Sequence, residues 1–248
     1  ELREGLGVEQ NLHHIYTVWE HNLRTMKYAA DKSYSFAVRM ACLLHDVGKP
    51  RSKHGEGKHC TFYAHDAIGA TMTKKIMERL KFPHDISHKV ALLVRYHMFY
   101  YSVGEVTESS VRRLIANVGL ENIDDLLRLR EGDRIGSGTP KAVPYKLRHL
   151  KYMIDKVSHD AISVKMLAVN GADIMEALAT PPGPKIGLIL NSLLAEVLDD
   201  PSLNERDLLL ERIRKLDKKT PDELQKSLER INKALEQEEQ ERMKKYYV

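Results

Sequence analysis

Apolar positions in this chain recur mostly at three- and four-residue spacing, and no window alternates convincingly with period two, so the pattern predicts helices throughout. A first helix is expected over 12–30, with a core stripe of Ile15, Val18, Trp19, Asn22, Met26 and Ala30. A second is expected over 34–47, stopped by Gly48 and by Pro50 beyond it. A third over 63–80 carries Ile68, Met72 and Ile76, and a fourth opened by Pro83 aligns Ile86, Val90, Leu93, Val94 and His97 on one face. Helices over 108–118, 122–133, 144–156 and 160–169 follow, parted by Gly119 and by Gly136-Ser137-Gly138. After Asn170-Gly171 come shorter units over 172–178 and 185–198, split by Pro181-Pro182-Gly183-Pro184. Beyond Pro201 the chain is strongly charged. Thr220-Pro221-Asp222-Glu223 is a helix start, and Leu224, Leu228, Ile231 and Leu235 give that helix a narrow seam for docking. The expected fold class is all-α: a helical bundle over 1–170, then a smaller helical body with a charged C-terminal helix over 171–248.

Composition agrees, since aromatic residues are only 6% of 248 while charged residues reach 30%. The net charge of +4 is too mild to establish nucleic-acid binding and is compatible with a phosphate-bearing partner. Cys42 and Cys60 do not suggest a disulfide scaffold, with Cys42 expected in the core and Cys60 in a polar loop, so a cytoplasmic location is expected. No apolar run reaches membrane-spanning length and the start lacks signal-peptide form, so no membrane partner is expected. The chain begins at Glu1 rather than Met, and 2–10 reads as a linker, as expected of a piece of a longer protein.

The candidate chemistry centres on Ala41-Cys42-Leu43-Leu44-His45-Asp46-Val47-Gly48-Lys49-Pro50. An ionisable pair ending an apolar run costs several kcal/mol to bury unless something offsets it, and a cation offsets both groups at once. Other His-Asp dipeptides occur at His65-Asp66, His84-Asp85 and His159-Asp160, none within so apolar a run. At helical spacing around the pair stand His21, at the flank of the first stripe, His65, His97 and Asp133. Four imidazoles and two carboxylates suit Mn, Fe, Co or Ni better than Mg, which prefers oxygen and water. One or two divalent ions are expected, and an Asp between two of them can bridge. For Asp133 an ion pair with Arg130, three residues earlier, is the competing reading. The loop after the pair carries Lys49, Arg51 and Lys53, read equally as phosphate contacts or as a solvated loop. Tyr96, Phe99, Tyr100 and Tyr101 are expected to close the core near His97, and the basic stretch of Lys141, Lys146, Arg148, Lys151 and Lys156 to be a solvated face.

The order H…HD…H…H…D resembles the HD superfamily of metal-dependent phosphohydrolases. The resemblance implies an HD-type helical bundle in which His21, His45, Asp46, His65, His97 and Asp133 hold metal, with Asp46 bridging two ions. It also implies that Lys49 contacts phosphate beside Asp46 in the catalytic site; Arg51 and Lys53 are further candidate substrate contacts from their place in the basic loop alone. A mononuclear site of His21, His45, Asp46 and Asp133 is the alternative. Val18-Trp19-Glu20-His21-Asn22-Leu23-Arg24, Phe62-Tyr63-Ala64-His65-Asp66-Ala67-Ile68-Gly69-Ala70 and Leu92-Leu93-Val94-Arg95-Tyr96-His97-Met98 carry a narrower resemblance. So do Leu127-Arg128-Leu129-Arg130-Glu131-Gly132-Asp133, Val169-Asn170-Gly171-Ala172-Asp173-Ile174-Met175 and Pro182-Gly183-Pro184-Lys185-Ile186-Gly187. These are similar to the C-terminal half of bacterial tRNA nucleotidyltransferase/poly(A) polymerase-like proteins, an HD domain followed by a helical RNA-binding body. The Gly-Ser turn and paired Asp-x-Asp of that family's polymerising head have no counterpart here, and Gly132 stands where Ala is expected. The expected activity is therefore metal-dependent hydrolysis of a phosphomonoester, a 2′,3′-cyclic phosphate or another phosphodiester, on a phosphorylated small molecule or an RNA 3′ end such as that of tRNA. The alternative is a non-catalytic tRNA-binding portion whose head domain lies elsewhere.

Overall fold

The computed structural model describes residues 1–11 and 15–246; Leu12, the expected start of the first helix, and His13 and His14 lie outside them. It is all-α apart from one two-stranded hairpin. The chain forms two compact units, Glu1–Phe99 with Val118–Arg148, and Tyr100–Asn117 with His149–Val248. The units interleave in sequence, so 100–117 and 149–170 pack with the C-terminal body.

The first unit holds α1 (Val18–Asp31), α2 (Phe36–Leu44), α3 (Lys49–Ser52), the hairpin of β1 (Lys53–His54) and β2 (Thr61–Phe62), α4 (His65–Arg79) and α5 (His84–Tyr96). Thr17 starts α1 with a reciprocal cap, its hydroxyl accepting from Glu20 N while the Glu20 carboxylate accepts from Thr17 N. The buried face of α1 is Val18, His21, Asn22, Thr25 and Ala29, rotated from the expected stripe, so that His21 is central and Ile15, before the helix, is exposed. α2 is the apolar centre, with Val38, Ala41, Cys42 and Leu44 buried against α1 and α5. It ends at Leu44, three residues short of expectation. His45 to Gly48 form a turn, and Pro50 sits in the first turn of α3, where its missing N–H costs nothing.

α6 (Glu108–Val118) lies mostly in the second unit, and α7 (Leu120–Gly136) in the first, packed on both α1 and α2. Gly132 and Gly136 explain that closeness. A Cβ on Gly132 would stand 3.3 Å from Cys42 Sγ and from Thr25 O, and one on Gly136 3.1 Å from His21 O. Gly132 is thus a packing residue that lets α7 reach α1, not an oddity of the helix.

α8 (Tyr145–Val157) runs from one unit into the other. The second unit continues with α9 (Gly171–Leu178), α10 (Pro184–Asp199), α11 (Arg206–Asp217) and α12 (Pro221–Tyr246). The expected helix over 160–169 is absent: only Val164–Met166 makes a 3₁₀ turn, while Ala161, Leu167 and Val169 drop individually into the second core with Ile174, Ile189, Leu193, Leu209, Ile213 and Leu224. Its apolar residues mark insertion points of an irregular strand of chain, which a helical period does not distinguish over so short a run. α12 docks most deeply by Leu224, with Leu228 and Leu235 partly buried along the expected seam and Ile231 exposed. Among the described residues no helix is long and apolar enough to cross a membrane.

Candidate metal centre

The six predicted ligands converge in the first unit, and all are buried, from 0% exposure at His21 and His45 to 7% at Asp133. The turn after α2 makes this meeting. His45 closes α2 and Asp46 follows it into the interior, while α4 starts directly against the same turn. A Cβ on Gly48 would lie 2.3 Å from His65 O and 2.7 Å from Gly69 N, and Gly69 in turn faces His45 O. Ala64, left-handed at φ 56°, caps α4 and sets His65 at its first position.

Asp46 is the hub. Its Oδ2 lies 3.3 Å from His21 Nε2 and 3.4 Å from His45 Nε2, and its Oδ1 lies 3.4 Å from His65 Nε2 and 3.6 Å from His97 Nε2. Two three-residue groups able to hold a cation therefore share one carboxylate: His21, His45 and Asp46, and Asp46, His65 and His97. Asp133 Oδ1 joins the first side, 3.3 Å from His21 Nε2 and 3.7 Å from His45 Nε2. Its Oδ2 accepts from Arg130 at 2.6 Å, so the expected ion pair forms through one oxygen and leaves the other facing the two imidazoles.

The ring orientations fit a cation. His45, His65 and His97 each turn Nδ1 to the carbonyl three residues back, of Cys42, Phe62 and Val94, at 2.7–2.9 Å. A carbonyl only accepts, so each Nδ1 is the donor, which leaves Nε2 as the ring position that a proton or a cation can take. His65 Nε2 and His97 Nε2 face each other at 3.3 Å beside a carboxylate oxygen. On the other side His21 Nε2 and His45 Nε2 are 2.9 Å apart. Donors bound to one ion at about 2.1 Å stand roughly 3.0–3.5 Å from one another, and the distances here run from 2.9 to 3.7 Å. The His/Asp clusters fit divalent metal binding, and carbonyl-oriented imidazoles are the usual support of such ligands.

The electrostatics point the same way. Burial alone would lower the His45 pKa, but Asp46 and then Asp133 outweigh it and push it up to about 10, so a proton is held where a cation fits. Burial would raise Asp46, yet His45 and Lys49 keep it well below the usual carboxylate range. Asp133 is likewise held low against its burial, chiefly by Arg130. His97 is shifted down by burial, keeping its ring neutral.

Of the predicted substrate contacts, Lys49 is buried with Nζ 2.7 Å from Asp46 Oδ2 and 5.5 Å from the Phe62 ring. Arg51 forms a two-bonded pair with Glu4 at the surface, and Lys53 lies half-buried in β1. His54, His59, His84, His88 and His159 are exposed, as expected. Cys60, expected in a polar loop, is buried with its Sγ near Glu9 O. Phe99 is buried with the Arg130 guanidinium 5.9 Å over its ring. The sequence reading missed Gln10, whose side chain reaches Lys49 from the supposed linker, and no pattern in the sequence marks it.

Arg130→Met will leave Asp133 without its anchor. Manganese affinity is expected to fall about 10–100-fold, the usual cost of losing a group that orients a ligand. Calorimetric titration of the purified variant checks this, and unchanged affinity would mean that Asp133 needs no such support.

Comparison with known proteins places this geometry in context. Residues 18–129 match the model of the HD domain family, a span containing His21, His45, Asp46, His65 and His97. The chain is 31% identical to the A-adding tRNA nucleotidyltransferase of Deinococcus radiodurans over 202 residues, 78% of this chain and 45% of that protein. It is 27% identical to the CC-adding tRNA nucleotidyltransferase of Thermus thermophilus over 198 residues, 78% of this chain and 44% of the other. The Multifunctional CCA protein of Neisseria meningitidis shares 25% identity over 60% of the chain. The chain thus spans about half the length of these curated relatives. Its motifs, its helical fold and these matches agree: the chain carries an HD domain and resembles, over most of its length, part of the tRNA nucleotidyltransferases.

Proposed function

We propose that the chain is a divalent-metal-dependent phosphohydrolase acting on phosphomonoesters, 2′,3′-cyclic phosphates or phosphodiesters, with an RNA 3′ end or a nucleotide as substrate. The observation that carries this reading is Asp46, with one oxygen among the donors of each three-residue group. Residues 1–170 supply the metal chemistry in this reading, and 171–248 form an RNA-facing body in the cytoplasm. His21, His45, Asp46, His65, His97 and Asp133 hold one or two ions of Mn, Fe, Co or Ni. A bound ion supplies Lewis acidity and lowers the pKa of water to give a nucleophile near neutral pH. Asp46 and Asp133 stay ionised for that role because Lys49 and Arg130 stand beside them. Lys49, beside Asp46, is the catalytic cation and neutralises phosphoryl charge as it builds up. Arg51 and Lys53 extend the basic side outward for a longer substrate, Arg51 exchanging Glu4 for a phosphate. Burial of all six ligands excludes bulk water and strengthens each of these charges.

The test is turnover of 2′,3′-cyclic AMP and bis(p-nitrophenyl) phosphate by purified protein with Mn or Ni. Activity that a chelator removes and added metal restores is the expected result. A second reading, a tRNA-binding portion without hydrolysis, rests on the names of the relatives, which are tRNA nucleotidyltransferases of which this chain spans about half. Absence of turnover with both metals, alongside salt-sensitive tRNA binding, would establish that reading and remove the hydrolase.

A further inference from the structure

The N-terminal segment is clasped to the first unit in a way its polar, glycine-containing sequence does not announce. Glu1 pairs with Arg79, Glu4 with Arg51, and Val8 O accepts from Val18 N at 2.9 Å. At its end Gln10 is only 6% exposed and uses both ends of its amide. Nε2 donates to Tyr16 O at 3.0 Å, and Oε1 accepts from Lys49 Nζ at 2.7 Å. The same ammonium donates to Asp46 Oδ2, the oxygen that faces His21 and His45. A chain of contacts thus runs from a segment outside the helical bundle to the hub of the metal centre.

From this geometry we infer that Gln10 is a positioning residue for Lys49, setting how strongly the ammonium competes with a cation for Asp46 Oδ2. The inference rests on the reading of the cluster as a metal centre. A buried ammonium needs partners, and Lys49 has two polar ones here, a neutral amide and a carboxylate. When a cation draws Asp46 Oδ2 toward itself, Gln10 Oε1 keeps the ammonium satisfied. The amide does this without cancelling the positive charge that Lys49 brings to a phosphoryl group. Without Gln10 the ammonium has Asp46 alone and holds that oxygen against the cation.

The test is a set of Mn titrations of the full chain, followed by calorimetry and by the electron paramagnetic resonance of free Mn. Gln10→Met, which keeps the volume and removes the acceptor, is expected to weaken Mn binding about tenfold, the usual cost of a lost bond to a charged group. Gln10→Glu keeps the acceptor for Lys49 but not the donor to Tyr16, and is expected to bind Mn at least as tightly as the unmodified chain. In a Lys49→Met background, Gln10→Met is expected to change nothing further. Wild-type affinity in Gln10→Met, an equal loss in Gln10→Glu, or the same loss with Lys49 already removed would overturn the inference, the last two by showing a purely structural role. Because the readout is Mn affinity, a chain that binds Mn but hydrolyses nothing refutes the hydrolase reading and leaves this inference standing. A chain that binds no Mn overturns both.

Discussion

Asp46→Ala is expected to abolish manganese binding at both halves of the cluster and, with it, the phosphodiester turnover proposed above. Losing even an outer partner of a metal ligand costs about 10–100-fold in affinity, so losing a ligand whose two oxygens serve both groups is expected to cost on the order of a thousandfold. Turnover should fall by at least the same factor, since the water-activating role disappears with the ion. His97→Ala provides the contrast. It removes one donor from the group that faces Asp46 Oδ1 and leaves His21, His45, Asp46 Oδ2 and Asp133 in place. That variant is expected to bind one Mn per chain where the unmodified chain binds two. Equilibrium dialysis gives both stoichiometries directly. Two ions retained in Asp46→Ala would mean that the carboxylate does not join the halves.

The helices of the bundle were legible in the sequence because most of them bury an apolar stripe at helical spacing, as α5 does with Val90, Leu93 and Val94. The clustering of the candidate residues was legible for a different reason: polar metal-ligating types at the ends of apolar runs demand a countercharge. What misled the reading was the same polarity seen from α1. Its inward face carries His21, Asn22 and Thr25, so a stripe drawn through apolar residues is rotated away from the true one. A helix that lines a polar site does not show its buried face as hydrophobic. The end of α2 was misplaced because Gly48 is a common helix stop. Here its φ of −80° is one that any residue can adopt, and it is the missing Cβ that matters. Gln10 was invisible because its role depends on where a non-helical segment returns, which periodicity does not encode. Gly132 and Gly136 belong to the same class, being explained only by the nearness of Thr25 and Cys42.

Gly48→Ala will be the most destabilising single methyl addition at the centre, and it will reach the ligands as well as the fold. The backbone conformation at Gly48 suits alanine, so the cost comes from space alone. The new Cβ would stand 2.3 Å from His65 O and 2.7 Å from Gly69 N, both main-chain atoms that cannot rotate aside as a side chain can. Relief requires α4 to move off the turn. That separates His65, at the start of α4, from Asp46 in the turn, and weakens the group of Asp46, His65 and His97. Overpacking of this kind costs about 2–3 kcal/mol, a fall in Tm of roughly 5–10 °C for a chain of this size. Gly187→Ala is the matching control. Nothing lies within 4 Å of a Cβ there and the residue is inside α10, so the change should stabilise slightly, by about 0.5–1 kcal/mol. Thermal melts of the two variants should therefore move in opposite directions, and Mn titration should show the loss only in Gly48→Ala. A Gly48→Ala protein with unchanged Tm and unchanged Mn affinity would show that the turn and α4 are not in the tight contact on which the metal centre depends.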